Sequence, residues 1–171
     1  MSMRRGWLAK KQQRLDLLDK IKSDTRKDIK KLTSKDLWLT GVLLYWAEGS
    51  KEKRNSIGQQ VKFSNSDPRM IMIFLKWLGE IMKINNNNIN FELYIHKTAN
   101  LNKALNYWSQ ILSCPKDKFR VYFKQPKTNT NRKNIGNSYN GLIRLSVKRS
   151  SILNRKIAAW IEHICNYWEV V

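Results

Sequence analysis

The sequence predicts an α+β domain whose helices pack on one face of a sheet and leave the other, basic face open. Three observations carry this expectation. Four segments alternate apolar and polar residues with a period of two, the mark of strands with one buried face. Between them lie apolar or amphipathic segments of helical length with recognisable start and stop signals. The polar positions of the four strands hold Lys62, Arg120, Lys124, Arg144 and Lys148, so the face turned from the core is cationic.

Composition sets the same frame. The chain has 171 residues, enough for one ordinary domain with its own core. Lysine and arginine number 33 against 13 acids, a formal net charge of +20, which makes a polyanion the expected partner. Hydrophobic residues make up 42% and there are seven tryptophans, which argues against a disordered basic tail. The longest apolar run, Leu37 to Ala47, is too short to span a bilayer. Met1-Ser2-Met3-Arg4-Arg5 leads into charged residues rather than the apolar centre of a signal peptide, and a cytoplasmic setting is expected, nucleoid-associated if the source is bacterial or phage. Cys114 and Cys165 stand alone without a CxxC or a His/Cys cluster, which fits a reduced compartment and disfavours zinc.

In chain order, residues 1–33 form a basic arm in which Leu8, Leu15, Leu18, Ile21, Ile29 and Leu32 recur at helical spacing. A solvated helix and an arm along phosphates or a partner both fit that pattern. Thr33-Ser34-Lys35-Asp36 is a capping box, so an apolar helix begins near Ser34 and runs to Glu48, where Gly49 is expected to take a left-handed stop conformation. Residues 34–171 form the main domain. A polar, basic loop follows with Lys51, Lys53 and Arg54, and Gln60 to Ser64 reads as a strand. Asp67-Pro68 opens a buried helix to about Lys83, an N-cap acid before proline at the first helical position. Asn85 to Asn88 is a turn, Ile89 to Lys97 a strand, and Leu101 to Ser113 a helix stopped by Cys114-Pro115. Strands at Phe119 to Gln125 and Gly141 to Lys148 flank a basic loop, Pro126 to Asn140, containing Lys127, Arg132 and Lys133. A last helix, capped by Ser150 or Ser151, ends near Asn166.

Alternation assigns Val61, Phe63, Phe91, Leu93, Ile95, Phe119, Val121, Phe123, Ile143, Leu145 and Val147 to the core face. Opposite them lie Gln60 and Lys62, then Glu92, Tyr94 and His96, then Arg120, Tyr122 and Lys124, then Arg144, Ser146 and Lys148. Cations that meet phosphates, beside hydrogen-bonding and aromatic groups that meet base edges, suit a surface laid against duplex DNA. RNA binding, with the tyrosines used for stacking, is a further reading. His96 reads as a surface or DNA-contacting imidazole rather than a metal ligand.

Glu48 is the sharpest single signal. A carboxylate at a helix C-terminus faces the negative end of the macrodipole, so a cation or a basic neighbour must favour it there. A metal ligand and a structural salt-bridge partner are both compatible with that position. Val42-Leu43-Leu44-Tyr45-Trp46-Ala47-Glu48-Gly49, followed by Phe63-Ser64-Asn65-Ser66-Asp67-Pro68, resembles the LAGLIDADG homing-endonuclease superfamily, in a divergent branch with a single motif. The resemblance is best over residues 36–97. It implies a LAGLIDADG-like fold with a curved, mostly antiparallel sheet gripping DNA, and motif helices meeting at a two-fold or pseudo-two-fold axis. Gly41, Leu44, Tyr45 and Ala47 would then line a homodimer interface. Glu48 and Gly49 would hold Mg2+ or another divalent cation, and Gln60, Lys62 and Lys97 would join Glu48 as catalytic residues. Glu48 stands where the family more often has Asp, Leu43 where it has a packing glycine, and no second Ala-acid-Gly helix exists. The implied function is a site-specific, divalent-metal-dependent double-strand DNA endonuclease acting as a homodimer. Its alternative is a DNA-binding regulator on the same scaffold with cleavage lost.

Overall fold

A computed structural model describes residues 2–55, 57–125 and 139–170. The chain divides into two units, Met1–Asp36 and Leu37–Val171. In the first, helix α1 (Ser2–Thr25) leaves Trp7, Leu8, Leu15, Leu18 and Ile21 exposed. It stops short of Ile29 and Leu32, which the helical spacing of the arm includes. Asp24 and Asp28 place carboxylates at the negative end of the dipole, and the Thr25 hydroxyl turns back onto the Ile21 carbonyl at 2.8 Å.

Helix α2 (Ser34–Glu48) starts at the expected capping box. The Asp36 carboxylate accepts from the Thr33 amide (2.7 Å) and hydroxyl (2.6 Å), and its pKa is lowered chiefly by the hydroxyl bond. The stop differs from expectation. Gly49 has no positive φ; it lies beside β1 (Lys62–Asn65) in an antiparallel bridge to Phe63, with Ser50 N donating to Lys62 O at 2.9 Å. Glycine is needed there because a Cβ would collide with the Tyr45 ring.

Helix α3 (Pro68–Glu80) begins with Asp67 accepting from Arg69 N, as its Asp-Pro start predicts. Strand β2 (Ile89–His96), helix α4 (Leu101–Leu112), β3 (Phe119–Lys124), β4 (Leu142–Val147) and α5 (Ser151–Tyr167) follow. Ser150 takes the expected N-cap position of α5, but its side chain makes no capping hydrogen bond to the helix. Its hydroxyl donates to Val147 O (2.7 Å) and accepts from Val61 N (2.8 Å), tying the helix start to the sheet.

The strands form one sheet in the order β1-β4-β2-β3. Two of its pairings are antiparallel, and β2–β3 is parallel. The parallel pair follows from α4, because a helical crossover returns the chain in the same direction. The fold is therefore α+β with a mostly antiparallel sheet. Its core joins Phe63, Leu93, Ile95, Ile143 and Leu145 to Val42, Ile71, Phe74, Trp77, Leu78, Trp108 and Ile157 from the helices. Phe123 departs from the expected core. It lies on the apolar face, but near the end of edge strand β3, and is 48% exposed.

Candidate nucleic-acid interface

Strand register determines which side chains meet on the open face. Lys62, Ser146 and Asn90 form one row across β1, β4 and β2. Ser64, Arg144, Glu92 and Arg120 form the next and cross all four strands. Leu142, Tyr94 and Tyr122 follow, then His96 and Lys124. These paired positions carry four cations, Lys62, Arg144, Arg120 and Lys124, against one carboxylate, Glu92.

The centre of the face is a locked network. Arg144 Nε donates to Ser64 Oγ (2.9 Å) and Nη1 to the Tyr94 hydroxyl (2.7 Å), which in turn donates to Glu92 Oε2 (2.9 Å). Arg144 Nη1 lies 3.8 Å from the same carboxylate oxygen, and the guanidinium carbon stands 4.5 Å from the Tyr94 ring centre. Desolvation, then the bond to Glu92, raises the Tyr94 pKa, so its proton stays in the network. Tyr122 stacks on Tyr94 with ring centres 4.9 Å apart and 15° between planes. Desolvation and then the Arg144 charge lower the Lys124 pKa. Beyond that row, Tyr139 packs against His96 with ring centres 5.5 Å apart.

Glu48 stands at the β1 edge of this face. The antiparallel bridge at Gly49–Phe63 places residue 48 alongside residue 64, so the row from Ser64 to Arg120 has Glu48 at its end. The chain leaving Glu48 is held by α5. Buried Asn154 donates through Nδ2 to Ser50 O (3.1 Å) and Gln59 O (2.9 Å), and the buried Tyr45 hydroxyl donates to Ser50 O (2.6 Å). Burial pushes the Tyr45 pKa up to about 12. Arg155 makes two bonds to Glu52, at 3.0 and 3.1 Å, and holds that carboxyl below its ordinary range.

The four candidate catalytic residues do not form one cluster. Glu48 and Lys62 both border β1, whereas Gln60 is exposed ahead of the strand. Lys97 is exposed in the turn after β2, five residues past Glu92 and roughly 17 Å along the strand direction. Among the described residues no three His, Cys, Asp or Glu side chains converge. A magnesium ion seeks about six oxygens in octahedral geometry, often with only one or two of them from protein carboxylates. Glu48 with the Gly49 backbone does not make such a site within one chain, and no metal-dependent step is assigned to the monomer.

Of the expected DNA contacts, Arg120, Tyr122 and Lys148 are exposed, and Tyr94, His96, Lys124 and Arg144 are half-buried. Lys148 Nζ donates to Asn87 O at 2.9 Å. Lys51, Lys53 and Arg54 lie on the loop between α2 and β1, and Lys127, Arg132 and Lys133 lie outside the described residues. Of the expected dimer contacts, Gly41 and Tyr45 are buried inside the chain, Gly41 against Trp77 and Tyr45 near Phe74. Leu44 is half-buried and Ala47 exposed, while Leu39, Leu43 and Trp46 form an exposed stripe at helical spacing on α2.

Sequence reasoning misses two members of the site, Ser64 and Tyr139, and one pairing, that of Glu92 with Arg144. Ser64 shares the open face with Lys62 two residues earlier, so alternation alone is enough to find it. Alternation puts Glu92 on that face too, but its partnership with Arg144 depends on a pairing between strands about 50 residues apart. The packing of Tyr139 on His96 leaves no local sequence signal.

Fold and site together define an α+β domain with one sheet face covered by helices and the other open, cationic and aromatic at its centre. No family model matches this chain, and no curated protein or solved structure is significantly similar to it. No helix among the described residues is long and apolar enough to cross a membrane.

Proposed function

We propose that this protein binds double-stranded DNA through the open face of its sheet, as its resemblance to LAGLIDADG-type proteins implies. The observation that carries this reading is the row Ser64–Arg144–Glu92–Arg120, flanked by Lys62 and Lys124, in a chain of net charge +20. Lys62, Arg120 and Lys124 suit phosphates, and Arg144, oriented by Ser64 and Tyr94, suits a guanine edge. One arginine–carboxylate pair, Arg144 with Glu92, inside a basic field adds selectivity, because a ligand must match its orientation as well as its charge.

A second reading, a divalent-metal-dependent endonuclease acting as a homodimer, rests on Glu48. Its exposed carboxylate ends the same row, and the stripe Leu39, Leu43 and Trp46 leads along α2 toward it. Burying that stripe between two copies, with Ala47 beside it, would supply the dimer that this reading needs. Without such pairing, the regulator reading stands.

Incubating the purified protein with a random duplex library in Mg2+ and, separately, in Ca2+ tests both readings when bound fragments and new ends are sequenced. Enrichment of one motif in both ions supports DNA recognition, and no enrichment at low salt refutes it. New ends at that motif in Mg2+, lost in Glu48→Gln with binding retained, support the nuclease. Binding without new ends selects the regulator.

A further inference from the structure

The three groups Arg144, Tyr94 and Tyr122 form a column across the open face. The guanidinium covers the Tyr94 ring at 4.5 Å, and Tyr122 stacks on that ring at 4.9 Å. The inner end of the column is fixed by Ser64 and Glu92. Its outer end lies on β3, the edge strand, where Tyr122 is 42% exposed. Arg120 and Lys124 sit two residues to either side of Tyr122 on the same face, about 7 Å away along the strand. A solvated tyrosine needs neither a stacked partner nor flanking cations. A flat π-bearing ligand carrying phosphates on both sides needs both.

We infer that Tyr122 is a stacking platform for an unpaired nucleobase, with Arg120 and Lys124 taking the adjoining phosphates. The inference rests on the reading of the open face as a DNA-binding surface and names what that surface takes beyond paired duplex. A base inside a duplex has both faces covered by its neighbours, so only a bulged, flipped or single-stranded base extends the column. Hydrogen bonds fix Arg144 and Tyr94, and Tyr122 is placed by stacking on the fixed Tyr94 ring, so little side-chain freedom is lost when a base arrives. Stacking is tolerant of base identity, so this position selects an unpaired state rather than a sequence.

The test compares a fully paired DNA duplex with the same duplex carrying one bulged 2-aminopurine, each bound by the full-length wild type, Tyr122→Ala and Tyr122→Phe at low salt. The wild type should bind the bulged duplex about ten-fold more tightly and quench the 2-aminopurine. Tyr122→Ala should lose both the preference and the quenching, weakening binding to the bulged duplex about ten-fold more than binding to the paired one. Tyr122→Phe should keep both, since the ring and not the hydroxyl does the stacking. A urea midpoint for Tyr122→Ala close to wild type shows that the exposed side chain was removed without unfolding. Equal wild-type affinity for the two duplexes with unquenched 2-aminopurine overturns the stacking site while leaving the DNA-binding reading intact. Equal weakening on both duplexes in Tyr122→Ala also overturns it. Failure of the wild type to bind either duplex overturns the reading beneath it.

Discussion

Gly41 sets the backbone of α2 against the Trp77 side chain of α3, and adding one methyl there should be costly. A Cβ on Gly41 would lie closer than 3.0 Å to Cγ, Cδ1 and Nε1 of Trp77, which is fully buried. Carbon atoms prefer separations of about 3.5–4.0 Å, so the indole or the helix must shift outward. The indole has little room, because it stacks on Phe74 at 5.2 Å, and Phe74 stacks on Phe63 at 4.3 Å. Overpacking of this kind costs about 1–3 kcal/mol, and a clash against an immobilised ring belongs at or above the upper end. Replacing a helical glycine by alanine returns about 1 kcal/mol of backbone propensity. Gly41→Ala should therefore destabilise the domain by about 2 kcal/mol. Gly79 is the internal control: it lies in α3 with nothing within 4 Å of its Cβ position. Gly79→Ala should stabilise by about 0.5–1 kcal/mol. Urea titration followed by tryptophan fluorescence reads both as opposite shifts in midpoint at unchanged slope. Gly41→Ala as stable as Gly79→Ala would refute the close packing of α2 on α3, and with it the position of Glu48.

Two further outcomes concern the chain that leaves Glu48. Asn154→Ala removes the bonds to Ser50 O and Gln59 O and should cost about 1–3 kcal/mol, with faster hydrogen exchange at the Ser50 amide; unchanged exchange would show that α5 does not hold this loop. Tyr45→Phe should cost about 1 kcal/mol, because Ser50 O keeps its bond from Asn154. Tyr45 also carries a pH signature. Its pKa is raised to about 12 in the fold, so the folded state holds the proton longer than the unfolded one. Its contribution is complete below pH 10, the ordinary tyrosine value, and declines as pH rises toward 12. Urea midpoints across that range should fall more steeply for wild type than for Tyr45→Phe, and parallel curves would contradict the burial of the hydroxyl.

Much of this architecture is legible in local pattern, and the failures of that pattern have physical causes. Period-two alternation places Phe63, Leu93 and Leu145 inward and Lys62, Tyr94 and Arg144 outward. The Asp67-Pro68 start and the Thr33–Asp36 box are legible because each closes within three residues. Gly49 and Ser150 mislead for one reason. Each residue type has a familiar role at a helix end, but a long-range interaction claims it first, Phe63 for Gly49 and Val61 for Ser150. The order β1-β4-β2-β3 depends on which edges meet, so the Glu92–Arg144 pair and the row ending at Glu48 cannot be found by scanning along the chain. The dimer interface expected at Gly41 and Tyr45 follows from the family resemblance without the position of α3, whose Trp77 and Phe74 lie against those two residues.

The most direct measurement of the central claim is the salt dependence of duplex DNA binding by wild type and by Lys62→Gln/Arg120→Gln/Lys124→Gln. These three cations line the open face outside the Ser64–Arg144–Tyr94–Glu92 network, so their removal leaves that network in place. Each cation withdrawn from a phosphate should lower the slope of log affinity against log salt by about one. The sheet-face account predicts a wild-type slope reduced by about three in the triple variant, with affinity falling most strongly at low salt. An unchanged slope and affinity in a folded triple variant would place the DNA elsewhere on this basic chain and contradict the account.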